Sequence, residues 1–319
     1  MTTGKPTPMV NHFARTPVPP DYLHLGARVH SFPIPVDRGD LQKLCDEWFN
    51  KPSGGAVTYR VLLPRIFILT ANIASIEPEQ APYKDLGRAS EIDVGMWILV
   101  LRTTPLAAVP RWLPIRLFVD SGDAVVVGRE VYGFPKEMGK CTVPATAPSS
   151  GPFAVDAFVT HQPNDVMKWL NVITVNSLGA PAGPLPPVWT TVEDATRELV
   201  ASAVKDPGFG ALDVPAREAI TVGFGLSIGT LPFAFLKQFM SVDGSRNACY
   251  QAMLEAPAKV VAFRRGGFTP DEYEITITSH HTHRFDTFLG LKPGPYKVGR
   301  GIWSDFDFSM KGGTVLFEA

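Results

Sequence analysis

Proline and glycine are spread along the whole chain, and their spacing limits the folds it can adopt. The 319 residues include 30 prolines and 28 glycines. Apolar runs lie between them, and such runs bounded by turn-forming residues predict short β-strands. The pattern therefore favours a mainly β fold with many turns over a helical bundle. Strands are predicted at residues 23–35, 59–74, 90–99, 111–119, 141–159 and 273–283.

Two segments have the apolar spacing of amphipathic helices. Residues 40–50 form the first, with Asp40 as the predicted N-cap and an apolar face. The residues predicted on that face are Leu41, Leu44, Cys45 and Trp48. Residues 192–204 form the second helix. The residues predicted to pack it against the core are Leu199, Val200 and Val204.

Composition excludes several classes of function. The chain carries 30 basic and 31 acidic residues, a net charge of −1, which argues against electrostatic binding of nucleic acid or membrane as its main role. The three cysteines are too few and too scattered for a disulfide framework or a zinc site. No segment has the apolar length of a signal peptide or a membrane span, so a cytoplasmic protein is expected.

Residues 125–141, VVVGREVYGFPKEMGKC, carry the most chemical information. The valine-rich pieces predict strands that enter and leave a turn. Pro135 fixes its own φ and holds Phe134 in extended geometry, so Lys136 follows a stiff backbone. An amine held among Val, Tyr, Phe and Met side chains is partly desolvated, and a neutral amine can attack a carbonyl. On these residues alone, the alternative that Lys136 is an ordinary turn lysine whose ammonium reaches water stays open.

The run GREVYGFPKEMG resembles the active-site segment of the acetoacetate decarboxylase family. In that family a lysine after an aromatic–proline pair forms a Schiff base with a keto acid, and Lys136 falls on that position. The decarboxylases have a second lysine next, whereas this chain has Glu137. A neighbouring carboxylate stabilises an ammonium instead of opposing it. The substitution therefore predicts a diverged activity, not simple acetoacetate decarboxylation.

The resemblance implies roles for further residues. Arg28 lies about where the family keeps an arginine that binds the substrate carboxylate, a task suited to a planar guanidinium. Glu91 matches the retained active-site carboxylate and would move protons. Ile68 falls where the family tends to carry a glutamate, which predicts a drier pocket. A surface arginine and a surface acid at the start of a strand are the alternatives for Arg28 and Glu91. The residues predicted to contact the substrate are Tyr132, Phe134, Glu137 and Ile68.

Other candidate groups receive weaker assignments. His280, His281 and His283 lie in a predicted strand, where two of them share a face, but two imidazoles do not make a metal site. Lys237 is a possible second pocket lysine. The GFGLSIG run at residues 223–229 is predicted as a glycine-bent strand, because no lysine–serine pair completes a phosphate loop. No metal and no cofactor are expected.

The fold implied by the resemblance is mainly β (α+β), with an antiparallel curved sheet closed into a barrel-like cone and a few peripheral helices. Residues 1–22 are predicted to be a flexible proline-rich arm. Residues 23–319 would form a single acetoacetate decarboxylase-like domain with an insertion at about 160–218, of the kind that covers or reshapes a pocket. The family commonly forms homo-oligomers, which predicts one here.

The function implied is a cofactor-independent lyase that forms a Schiff base through Lys136 with an oxo acid or ketone. Decarboxylation, aldol or dehydration chemistry, or cyclisation would follow, on a substrate larger and more apolar than acetoacetate. An alternative keeps the pocket without the covalent step, as a cyclase or binding protein for an apolar secondary metabolite. A non-enzymatic module with an idle pocket is the third interpretation.

Overall fold

The computed structural model describes residues 18–104, 108–205 and 229–319. Most of the predicted arm at residues 1–22 therefore lies outside the described residues. So do residues 223–228 of the predicted glycine-bent strand. None of the described helices is both long enough and apolar enough to cross a membrane.

The described strands pair into one sheet of thirteen. They are β1 (Tyr22–Pro35), β2 (Thr58–Val61), β3 (Arg65–Pro78), β4 (Ala89–Thr103), β5 (Ala108–Val119), β6 (Lys136–Thr142), β7 (Phe153–Val159), β8 (Lys168–Gly179), β9 (Val188–Trp189), β10 (Thr230–Met240), β11 (Ala248–Ile277), β12 (Gly294–Met310) and β13 (Thr314–Glu318). The strand order is β10-β5-β6-β7-β8-β11-β12-β1-β3-β4-β2, and β9 and β13 pair with β11.

Further pairings, β10 with β11 and β5 with β4, join the sheet to itself in a ring-like arrangement. One closed circuit runs through β1, β3, β4, β5, β10, β11 and β12. The prediction of an antiparallel sheet is wrong in part. The sheet is mixed, because β5 pairs in parallel with both β6 and β10. The mainly β prediction is confirmed.

Four α-helices occur in the described ranges: α1 (Arg38–Cys45), α2 (Gly122–Val127), α3 (Val192–Lys205) and α4 (Phe285–Leu289). A π-helical turn follows α1 (Asp46–Asn50) and another follows α2 (Gly128–Tyr132), and a 3-10 turn spans Tyr83–Leu86. The predicted helices at residues 40–50 and 192–204 are confirmed. The N-cap of α1 is Asp37 and not Asp40, because the Asp37 carboxylate accepts from the backbone amides of Gly39 and Asp40.

The strands predicted within residues 124–132 are wrong, because this segment is helical. The Ser121 side chain accepts from the Ala124 amide and begins α2, and Gly133 in the left-handed region ends the π-helical turn. The segment joins the parallel strands β5 and β6, which a tight hairpin cannot connect. Val127 and Val131 pack against an aromatic cluster instead of entering the sheet.

Residues on alternate positions of the strands face opposite ways, and this alternation separates the main core from a cavity. On β3, Ile66 and Ile68 belong to the main core, whereas Phe67 and Leu69 line the cavity. The predicted insertion at residues 160–218 contributes to the sheet and to the cavity. Strand β8 lies within the sheet between β7 and β11. Helix α3 lines part of the cavity.

Candidate active site

A cavity of about 1360 Å³ lies inside the closed circuit of strands. All seven strands of that circuit contribute lining residues, together with α2, α3 and the start of β6. Most of the lining is apolar, with a few ionisable side chains among it. Pockets of this kind, with a few convergent polar groups, are the usual place for binding or catalysis.

Lys136 begins β6 and points into this cavity. Its side chain is only 9% exposed, and its Nζ atom lies 2.7 Å from Oε1 of Glu91. The ammonium also lies 5.2 Å from the centre of the Phe134 ring. Gly128 is close enough that a Cβ atom there would meet Lys136 Cδ at 2.6 Å. The lysine is therefore held by a carboxylate, an aromatic ring and a glycine that leaves it room.

Glu91 and Asp93 lie two residues apart on β4, so both side chains reach the cavity. Burial and the charge of Glu91 raise the pKa of Asp93 well above its usual value. Among the described residues, Asp93 Oδ1 has no hydrogen-bond partner. A buried carboxyl in this position is stable in its neutral form. The site thus combines an ammonium, a carboxylate and a carboxylic acid.

His24 also lines the cavity, although no sequence motif singled it out. Burial and the charge of Lys136 lower the pKa of His24 to about 3. The neutral ring stacks on Phe308, with centres 4.2 Å apart. A neutral imidazole can donate one hydrogen bond and accept another without adding a second positive charge beside the ammonium.

Comparison with known proteins gives a consistent result at the level of the fold. No protein-family model and no curated protein matches the chain. The crystal structure of acetoacetate decarboxylase from Legionella pneumophila aligns over 99% of this chain and 94% of its own, at 14% identity and a TM-score of 0.61. The chain has the acetoacetate decarboxylase fold.

Two further solved structures share the acetoacetate decarboxylase fold with this chain. The enduracididine biosynthesis enzyme MppR, complexed with pyruvate, matches at 14% identity and a TM-score of 0.54, covering 95% of this chain and 93% of its own. An acetoacetate decarboxylase-like enzyme from Sphingomonas wittichii RW1 matches at 13% identity and a TM-score of 0.54, with 94% of both chains covered. At these identities the likeness establishes the fold alone.

Glu137 does not face Lys136, although it follows it in sequence. Neighbouring strand residues point to opposite faces, and Glu137 lies 2.7 Å from Arg116 Nη1 and 3.1 Å from His283 Nε2. Burial opposes ionisation, but the His283 hydrogen bond and the Arg116 charge lower the pKa of Glu137 below its usual value. Within the acetoacetate decarboxylase fold, Glu91 is therefore the carboxylate that meets the lysine, and Glu137 is not among the cavity residues.

Arg28 and Ile68 are not brought to the cavity either. A β-bulge between His24 and Ala27 shifts the alternation of β1, so His24 and Val29 line the cavity and Arg28 does not. Ile68 is fully buried in the main core, because its position on β3 faces away from the lysine. The cavity-facing residues beside it are Phe67 and Leu69.

Tyr132 and Phe134 both line the cavity near Lys136. The Tyr132 hydroxyl donates to the carbonyl of Met310 at 3.3 Å, which fixes the ring. Phe134 packs edge-on against Phe235, with centres 4.5 Å apart. These rings form an aromatic wall beside the ammonium and restrict water there.

The histidines near residue 280 form no metal site. The strand predicted to reach His283 ends at Ile277, and His280 and His283 form an isolated bridge instead. No cluster of three or more His, Cys, Asp or Glu side chains suited to a metal occurs in the described ranges. Lys237 lies outside the cavity lining, with its ammonium 5.7 Å from the Phe239 ring centre.

Proposed function

We propose that this protein is a cofactor-independent lyase that forms a Schiff base through Lys136 with a ketone or oxo acid. The observation that carries the proposal is the position of the Lys136 amine. It lies on the wall of a large apolar cavity, nearly inaccessible to bulk water and 2.7 Å from a single carboxylate oxygen of Glu91. The acetoacetate decarboxylase fold supports the same chemistry by analogy.

The first step needs the lysine to lose a proton, and Glu91 is in hydrogen-bond contact to accept it. The neutral amine then attacks the carbonyl carbon, forming a C–N bond and a carbinolamine. Proton transfer to its oxygen lets that oxygen leave as water, and an iminium remains. The apolar walls favour this order, because proton transfer within the ion pair removes two charges from a poorly solvated site.

The iminium withdraws electrons from the bond next to it, so carbon dioxide loss, retro-aldol cleavage, dehydration or cyclisation can follow. When carbon dioxide leaves, the electron pair of the broken carbon–carbon bond forms the C=C bond of an enamine, and the iminium nitrogen becomes neutral. Asp93 would return a proton to the enamine carbon, since burial and the charge of Glu91 raise the pKa of its carboxyl. Water then hydrolyses the iminium and restores the free amine.

The Lys136–Glu91 ion pair also supports a second candidate function. A permanently charged lysine would bind or cyclise an apolar metabolite by shape and hydrogen bonding, without a covalent step. A 2.7 Å contact between Lys136 Nζ and Glu91 Oε1 is what such a protein would show before its ligand binds. For either function we propose a small-molecule ligand, a cytoplasmic location and a homo-oligomeric assembly.

Reductive trapping tests the covalent proposal. Incubation with borohydride and a panel of ketones and oxo acids, including acetoacetate and pyruvate, is expected to add the mass of the reduced substrate to the Lys136 peptide. Lys136→Gln should abolish the adduct. Lys140→Gln is the matched control, because Lys140 lies in the same strand with its side chain exposed. An adduct retained in Lys136→Gln, or absent from the wild-type protein with every probe, would contradict the proposal.

A further inference from the structure

The strand registers place uncharged residues around the cavity at the height of Lys136. Lys136 pairs with Leu117 on β5, and Leu117 pairs with Gly95 on β4. Gly95 pairs with Leu69 on β3, and from Leu69 the register continues through β1 to Ile302 on β12. Leu117, Leu69 and Ile302 all line the cavity. A substrate bound at the lysine therefore meets hydrocarbon on the facing strands.

The cavity differs in chemistry on the two sides of this level. On one side, β4 carries Asp93 and then Glu91, and both carboxyl groups line the cavity. On the other side, Trp97 of β4 pairs with Phe67 of β3, and both rings line the cavity. The acidic groups thus lie on one side of Lys136, and aromatic rings lie on the other.

The apolar side extends well beyond these two rings. Side chains of one hydrophobic cluster form it, together with residues that pack against the cluster. Those that line the cavity include Phe67, Trp97, Leu99, Leu117, Phe134 and Ala203. Pockets for drug-sized ligands measure roughly 300–1,000 Å³, and this cavity measures about 1360 Å³. A three- or four-carbon acid would leave most of that apolar surface uncovered, whereas a large hydrocarbon body would bury it favourably.

The remaining cations of the described lining already have interactions within the protein. Besides Lys136, these cations are Arg65, Lys297 and Arg300. Arg65 is engaged in an interaction of its own. Lys297 lies opposite Glu274 in the β11–β12 register, and Arg300 lies opposite Glu272 and donates to the Pro184 carbonyl at 3.5 Å. Opposite charges on neighbouring strands stabilise each other, so none of the three cations calls for an anionic ligand.

A substrate carboxylate beside the reacting carbonyl would meet unfavourable charge. Arg28, the residue predicted to bind such a group, does not line the cavity. Burial and the charge of Lys136 lower the pKa of His24 to about 3, so its ring offers no positive charge. Glu91 contacts the lysine amine and would repel a second anion there.

We infer that the substrate is a large, uncharged ketone or aldehyde whose hydrocarbon body lies along the apolar side of the cavity. The inference rests on the proposed function, since the carbonyl is the group that Lys136 would attack. A substrate without a carboxylate cannot release carbon dioxide. Retro-aldol cleavage, dehydration and cyclisation are then the reactions left to the iminium.

Four probes in the trapping assay separate charge from size. Acetone and pyruvate form the short pair, in which a carboxylate replaces one methyl group. A long-chain methyl ketone and the α-oxo acid with the same chain form the long pair. The long methyl ketone is expected to half-saturate the adduct at a concentration at least about tenfold below that of the long oxo acid, because the oxo acid places a second anion beside Glu91. It should also half-saturate below acetone, by up to roughly fourfold for each methylene that is buried.

Variants of the apolar side test where the hydrocarbon body lies. Leu69→Gln should raise the half-saturating concentration of the long methyl ketone several-fold and change that of acetone far less, because Leu69 lines the cavity. Leu199→Gln is a second variant with the same expectation, and it leaves the sheet unaltered because Leu199 belongs to α3. Val261→Gln is the matched control, since Val261 is 52% exposed and outside the lining. An unchanged preference for the long ketone in both leucine variants would overturn the inference.

The inference and the proposed function fail separately. A long oxo acid that half-saturates at or below the concentration of the long methyl ketone would overturn the uncharged substrate and leave Schiff-base formation standing. Acetone that half-saturates as readily as the long ketone would do the same for the large hydrocarbon body. If no probe is trapped, calorimetric binding of the same four probes decides. Tightest binding of the long methyl ketone would still support the substrate class, and equal or absent binding would overturn it.

Discussion

The variant Glu91→Leu is expected to lower the free energy of unfolding by about 3–5 kcal/mol, because it leaves a buried charge without its partner. Lys136 is 9% exposed and Glu91 6% exposed, so neither charge is well solvated by bulk water. Lys136→Met should cost a similar amount for the reciprocal reason. The double variant Glu91→Leu/Lys136→Met should be much more stable than either single variant, since it removes both charges.

Chemical denaturation of the wild-type protein, the two single variants and the double variant measures the free energy of interaction between Lys136 and Glu91 as a double-mutant cycle. The control is Lys43→Met, which breaks an ion pair of similar length, 2.9 Å, whose lysine is 74% exposed. That variant is expected to change stability little, because exposed pairs contribute little. Additive losses in the double variant of the buried pair would show that Lys136 and Glu91 are not coupled, against the site as described.

The second large effect is expected for Gly133→Ala, at the junction between the π-helical turn and Phe134. Gly133 has a φ of +84°, and a Cβ atom there would lie 2.7 Å from Lys237 Cα on the neighbouring strand. The left-handed conformation alone costs alanine roughly 1–2 kcal/mol. Since the contact is with backbone, which cannot move aside easily, the total loss should exceed that range.

Gly55→Ala is the matched control for this prediction. Gly55 has a φ of +85°, but a Cβ atom there would have nothing within 4 Å. It should therefore lose the conformational part only, and the difference between the two variants in thermal or urea unfolding reports the contact with β10. Equal losses of stability in the two variants would mean that β10 makes no close contact with the segment that carries Lys136.

Local physical rules account for the positions of the residues at the centre of this candidate site. Pro135 fixes the backbone before Lys136, and the lysine begins a strand among aromatic residues. Glu91 and Asp93 share a face because strand alternation places them there. Strands with strong alternation, such as β1 and β5, were also predicted to within a few residues.

Features that depend on the pairing of distant strands could not be predicted in this way. The bulge between His24 and Ala27 shifts the alternation of β1, so that His24 lines the cavity and Arg28 does not. The helical geometry of α2 follows from the parallel pairing of β5 with β6, and the valines in that segment suggested a strand instead. Glu137 contacts Arg116 and His283, which are distant from it in the sequence.

Exchange of the carbonyl oxygen tests the central claim most directly. Imine formation releases the substrate oxygen as water, and hydrolysis replaces it from solvent, so a ketone labelled with ¹⁸O loses its label at each reversible cycle. The wild-type protein is expected to accelerate this loss above the rate in buffer. Lys136→Arg should not, because a guanidinium stays protonated and does not attack a carbonyl. Equal rates for the two proteins, or no acceleration by the wild-type protein with any ketone of the panel, would contradict a reactive amine at this position.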